Sequence, residues 1–161
     1  MAVTPGERVA NTVLTVMTDE GPQPMQADEI FGGRKVVLFA LPGAFTPTCH
    51  NLHVPGYLEK MEAFKNKGVD TIACTSVNDV FVMDAWARQL GANKQIMFLA
   101  DGNADFAKGM GLDVDSSAFG MGIRSQRYAA IIDDGVVEVL NVEKQPGQAV
   151  ESGADAMLAA L

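Results

Sequence analysis

Five runs of strand length mark out this chain, with helical patterns between the first four, and that order constrains the fold more than any other feature. The runs are KVVLFALP (35–42), VDTIACTSV (69–77), QIMFLAD (95–101), RYAAIIDD (127–134) and GVVEVLNVE (135–143). They are rich in Val and Ile, and the continuous apolar ones suit central strands covered on both faces. Helical patterns extend from Val54 to Asn66, from Val80 to Gly91 and from Asn103 to Met110, and a last one from Ser152, a good capping residue, to Leu161. The Asp134-Gly135 step between the last two runs signals a tight hairpin, so that pair is expected to be antiparallel. Upstream, RVANTVLTVM (8–17) alternates loosely and ends at the turn-rich DEGPQP, which predicts an N-terminal hairpin extension decorating the main fold.

Parallel strands joined by helices, then an antiparallel hairpin and a closing helix, define an α/β fold of the thioredoxin type, with a mixed central sheet flanked by helices. Residues 1–161 are expected to form a single domain, because no repeat, low-complexity segment or linker divides them. A net charge of -8 argues against a nucleic-acid partner, which usually meets a basic face. No apolar run approaches the ~20 residues that span a bilayer. The start MAVTPGERVANTVLTV lacks the charged and apolar regions of a secretory signal, so a cytoplasmic location is expected. Two cysteines are too few for a disulfide framework, and each must be judged as a buried hydrophobe or a reactive thiol.

Cys49 stands in ALPGAFTPTCHNLHVPGY (40–57), where the first strand gives way to a helix. Thr46 suits the N-cap and Pro47 the first helical position, where a missing N–H costs nothing, so Cys49 becomes the third helical residue. Its sulfur would sit near unsatisfied N–H groups and the positive end of the helix dipole, which favour a thiolate, and beyond the C-terminal end of a strand, where open α/β sheets bind ligands. A cysteine merely buried in a first helical turn is the alternative.

The spacing Pro42-x-x-x-Thr46-x-x-Cys49, and the longer PGAFTPTC…HVPGY, resemble the active-site signature of the peroxiredoxins, in particular the atypical type II, or peroxiredoxin-five-like, group. The likeness runs from about Gly33 to Val142 and takes in SVNDVFVMDAW, FLADGNADFAKGMGL and RYAAIIDDGVVEVLNVE. It implies a cysteine peroxidase that needs no cofactor. Its thiolate attacks the terminal oxygen of a hydroperoxide, giving a sulfenic acid at Cys49 that an external thiol then reduces, glutathione with glutaredoxin or a thioredoxin. By the same likeness, Thr46 bonds the peroxide oxygens, the Thr48 and Cys49 amides add donors, and Pro42 shields the site. Arg127, just before its strand, matches the family's active-site arginine, with Arg124 ranked second. A guanidinium stays charged and offers planar donors to both thiolate and developing oxyanion.

His53, four residues after Cys49, shares its helical face and has a counterpart in the type II pattern, where it supports the site. Cys49, His50 and His53 in one turn have poor zinc spacing, so no metal is expected. Phe45 and Phe119 are candidates for an apolar collar around the peroxide, or for core or dimer contacts. Cys74, inside TIACTSV, reads as a structural hydrophobe; some type II members carry a resolving cysteine at this spacing. Type II proteins are often dimers joined near the active-site loops, which implies a homodimer through Phe45 or Phe81, with Trp86 in the core. A redox-sensing or chaperone-like protein using Cys49 as a switch is the competing function, but it would not need Thr46 and Arg127 in this geometry. A thioredoxin-type oxidoreductase would need a second cysteine at position 52, which is Leu.

Overall fold

The computed structural model describes residues 1–145 and 147–161. Strands β1 (Val13–Thr18), β2 (Gly21–Gln26), β3 (Lys35–Ala40), β4 (Thr71–Ser76), β5 (Met97–Ala100), β8 (Tyr128–Asp133) and β9 (Val136–Val142) form a seven-stranded sheet in the order β2-β1-β5-β4-β3-β8-β9. Its centre is parallel, with β4 between β3 and β5, and β8 and β9 complete one side antiparallel. Asp134 (φ 48°) and Gly135 (φ 78°) both take the positive φ that a type I′ hairpin turn demands. The N-terminal hairpin does more than decorate: β1 pairs antiparallel with β5 at Thr15 and Ala100 and so extends the sheet. Its partner β2 is the edge strand, which suits Pro22 and Pro24, since neither has an N–H to give a further strand.

Period-two alternation sends the strand side chains into two cores. Val37, Phe39 and Leu41 pack on one face with Cys49, Tyr57, Phe64, Cys74 and Trp86. Val36, Leu38 and Ala40 face the other side, with Ile30, Phe31, Phe106 and Tyr128. The first core is roofed by α2 (Val54–Leu58), α3 (Met61–Asn66), α4 (Val80–Gln89) and α6 (Ala154–Ala160). The second takes α1 (Ala27–Phe31) and α5 (Asp105–Gly109).

Three helical expectations need correction, and further short elements went unforeseen. The pattern over 54–66 is two helices, parted at Glu59 and Lys60. The stretch 103–110 is helical only from Asp105, because Ala104 adopts a left-handed conformation (φ 62°) at the helix start. Gly153, not Ser152, is the N-cap of α6, since the Ser152 hydroxyl donates to the Glu143 carboxylate instead. Finally, α1 and a small separate sheet of β6 (Asp113–Asp115) and β7 (Ile123–Ser125) have no counterpart in the apolar pattern, being too short to show a period.

Candidate active site

β3 ends at Ala40, and the following loop carries the chain over the end of the sheet to a helix that begins at Pro47, with Thr46 before it and Cys49 third, as the sequence indicates. The Thr46 carbonyl accepts the first helical bond, from the His50 N–H (2.9 Å). From Cys49 to His53 the winding is π-helical, and the Val54 N–H reaches back to the Cys49 carbonyl. Pro55 accounts for the wide turn: its ring crowds the carbonyl four residues back and it has no N–H to satisfy it, so the helix loosens just before it. Cys49 and His53 are both buried on the sheet side of this turn.

Arg127 comes from elsewhere in the chain. Because β8 runs antiparallel to β3, with Tyr128 paired to Ala40, the residue just before β8 lies at the end of the sheet where β3 delivers Cys49. The buried Arg127 guanidinium donates from one terminal nitrogen to the Cys49 sulfur (3.1 Å). The other terminal nitrogen donates to His53 Nδ1 (2.9 Å), which makes Nε2 the protonated ring nitrogen, donating to the Ser152 carbonyl (3.0 Å). Tyr57 donates to the same carbonyl (2.7 Å). Burial pushes the His53 imidazole down to about 4; the bond to Ser152 opposes this and the Arg127 charge adds to it. His53 is therefore a neutral acceptor for the arginine at neutral pH.

No carboxylate forms an ion pair with Arg127 among the described residues, and its Nε is buried without a partner. An uncompensated buried cation costs several kcal/mol, and the sulfur of Cys49 is one of the two side-chain groups its terminal nitrogens touch. Cys74 is buried as completely as Cys49 but lies within β4, paired in register with Phe39. Burial pushes its thiol well up, and the neighbouring Cys49 adds to this.

The loop before Cys49 is held from several sides. Thr46 donates its hydroxyl to the Gly43 carbonyl (2.7 Å), which leaves the oxygen lone pairs free to accept. The Thr48 hydroxyl donates to the Gly147 carbonyl (3.3 Å). Arg124, on β7, donates to the carbonyls of Pro42 (3.3 Å), Val77 (3.3 Å) and Met121 (2.8 Å), so it clamps the backbone around half-buried Pro42 and does not reach the sulfur. Phe45 takes a left-handed conformation (φ 64°), a strained state for a bulky residue, and stacks on His50 with centroids 6.1 Å apart. Trp86 is buried as expected and donates its indole N–H to His50 Nδ1 (3.0 Å). Phe119, expected in the same collar, is 83% exposed on a short 3-10 turn.

The motif reading missed Asn78, Ser152 and Glu143. Asn78 Oδ1 accepts from the Ala44 N–H (2.9 Å) and the Ser76 hydroxyl (2.7 Å), fixing the loop to the end of β4. Its place in SVND, between a strand end and the Asp79 helix cap, was the available signal. Ser152 meets His53 and Tyr57 across a long sequence separation, and Glu143 acts through the backbone of a loop seven to nine residues on, where no local pattern marks it.

A thioredoxin-like sheet that delivers one cysteine to a helix start, facing a buried arginine, defines a thiol-based redox enzyme. The Redoxin family model matches residues 4–158. The chain is 49% identical to peroxiredoxin-2C of Oryza sativa subsp. japonica over 145 residues, covering 88% of this chain and 89% of that protein. It is 42% identical to the chloroplastic peroxiredoxin-2E of Arabidopsis thaliana over 164 residues, 99% of this chain and 70% of that one. Among solved structures it resembles reduced Prx3 in complex with hydrogen peroxide from Vibrio vulnificus, with a TM-score of 0.92, 49% identity and 98% of each chain covered. Peroxiredoxin 5 from Alvinella pompejana superposes with a TM-score of 0.86 at 33% identity, covering 98% of this chain and 97% of its own. The chain belongs to the peroxiredoxins of the Redoxin family. It is a thiol-dependent peroxidase that uses a peroxide substrate and a thiol reductant.

Proposed function

We propose that Cys49 is the residue oxidised by the peroxide and that Arg127 is its electrostatic partner; the observation that carries this is the 3.1 Å contact between them in a buried site. The Cys49 sulfur attacks the terminal oxygen of ROOH, the O–O bond breaks, and the leaving RO⁻ takes a proton to become an alcohol or, for hydrogen peroxide, water. The product is Cys49–SOH. Negative charge passes from sulfur to the leaving oxygen during this step, and a fixed guanidinium can follow it without reorganising. The unpartnered Arg127 Nε is a further donor in the same place. Thr46, its own proton committed to Gly43, accepts from the peroxide O–H, and the Thr48 and Cys49 amides add donors at the helix start.

Cys74 is a packing residue in this reading, because its buried thiol resists ionisation and it is held in register within β4. An external thiol therefore resolves the sulfenic acid: Cys49–SOH and one thiol give a mixed disulfide and water, and a second thiol releases Cys49. Glutathione with glutaredoxin, or a thioredoxin, supplies these thiols. The active form is a homodimer joined near the loops, where Phe45 (50% exposed) and Phe81 (66% exposed) offer apolar area that a two-fold contact would bury on both sides. Stopped-flow peroxide consumption with each reductant tests the scheme. Turnover by Cys74→Ser at the parent rate is expected, and its collapse to a single turnover would make Cys74 the resolving residue. Sedimentation at tens of micromolar showing only monomer would remove the dimer.

A further inference from the structure

The network that holds Arg127 does not end at His53. Segment 147–152, between β9 and α6, touches the active-site helix at two points: Gly147 accepts from Thr48, and the Ser152 carbonyl accepts from both His53 and Tyr57. Among the described residues that carbonyl is the one acceptor within reach of His53 Nε2, and it lies in a backbone stretch with no helix or strand of its own. The Asn141 side-chain amide donates to the Glu151 carbonyl (3.1 Å), and one carboxylate makes most of the remaining bonds to the stretch. Glu143, just past β9, accepts from the backbone N–H groups of Val150 (3.1 Å), Glu151 (3.3 Å) and Ser152 (3.0 Å) and from the Ser152 hydroxyl (2.7 Å). Burial alone would raise its pKa, but these four donors outweigh it and hold the carboxyl below the usual range.

We propose that Glu143 is a positioning residue for the peroxidase reaction: it ties segment 150–152 so that the Ser152 carbonyl fixes the tautomer and orientation of His53, and through it the Arg127 guanidinium at Cys49. The proposal rests on the reading of Cys49 and Arg127 given above. Two features favour a positioning role over ordinary loop packing. Glu143 makes its hydrogen bonds to three consecutive backbone amides that immediately precede the acceptor carbonyl, which constrains the direction of that carbonyl and not merely the proximity of the segment. In addition, His53 is neutral, so its two ring nitrogens have fixed and opposite roles: if Nε2 loses its acceptor, the tautomer that presents Nδ1 to Arg127 loses its support.

The test is single-turnover oxidation by hydrogen peroxide, followed through the fluorescence of Trp86, the chain's one tryptophan, which is bonded to His50 beside Cys49. Glu143→Ala is expected to slow oxidation by about tenfold in the parent and by less than twofold in a His53→Ala background, because residues acting through one path are not additive. Glu143→Gln, which keeps one acceptor oxygen, is expected to recover part of the parent rate and provides a milder variant should Glu143→Ala fold poorly. The midpoint of the pH profile for oxidation is expected to move in Glu143→Ala and to stay put when Glu143→Ala is made on His53→Ala. Equal losses in both backgrounds, or a parent-like rate for Glu143→Ala, would overturn the proposal. Arg127→Ala in the same series separates the two levels: an unaffected rate there refutes the reading of the site, whereas a large loss with Glu143 silent refutes only the positioning role of Glu143.

Discussion

The two cysteines are equally inaccessible and differ almost entirely in what surrounds them. Cys49 stands at the opening of a helix with a guanidinium on its sulfur, while Cys74 lies in the middle of β4 among apolar neighbours. Both belong to one core. Burial therefore does not distinguish the two thiols; under the proposed function a fixed cation on the sulfur and a helix start do. Removing a thiol from water disfavours its anion, as Cys74 shows, whereas the Cys49 sulfur has the Arg127 guanidinium 3.1 Å away.

The sharpest break of this comparison is substitution. Cys49→Ser is expected to abolish peroxide reduction, while Cys74→Ser leaves the first oxidation step nearly intact; comparable losses in single-turnover kinetics would erase the distinction. Next come the two arginines. Arg127→Ala is expected to slow oxidation by about 10²–10³-fold, the scale for losing a preorganised donor to developing charge, and Arg124→Ala by far less, because it grips backbone carbonyls of the loop. A rate series that places Arg124 first would move the electrostatic role to it.

Acid titration probes the same site through stability. His53 has a folded value of about 4 against 6.5 when unfolded, so the unfolded chain binds more protons between these values. Its contribution is present above pH 6.5 and is lost as pH falls through about 4, a total on the order of 3 kcal/mol. Glu143, also lowered, acts in the same direction below its ordinary 4.5. Denaturant midpoints for the parent and His53→Gln should converge across that window, and parallel pH curves would count against a neutral buried His53. The smallest effect belongs to the other cysteine: Cys74→Ser, which places a hydroxyl in an apolar site, should cost about 1–3 kcal/mol of stability without touching the pH profile of oxidation.

Much of this was legible in the residues. The βαβ rhythm and the Asp134-Gly135 turn carried the sheet, because long apolar runs and positive-φ turns are local signals. Thr46, Pro47 and Cys49 were placed at the helix start by capping chemistry alone. Arg127 was found through family resemblance, since only the antiparallel pairing of β8 with β3 brings it to the sulfur. Glu143 and Ser152 stayed hidden for a related reason: each acts by bonding backbone or a distant side chain, and an isolated Glu or Ser in a loop looks like any solvated residue. The π turn could not be read from periodicity either, although Pro55 gave a reason for the helix to deform.

The claim that environment, not exposure, selects the reactive thiol is tested most directly by mapping the first oxidation. The reduced protein is treated with one equivalent of hydrogen peroxide in the presence of a sulfenic-acid trap such as dimedone, digested, and read by mass spectrometry. The account predicts the adduct on the peptide carrying Cys49, its yield falling in Arg127→Ala, with Cys74 recovered unmodified. Labelling of Cys74 equal to that of Cys49, or a Cys49 adduct that forms as fast without Arg127, would contradict it.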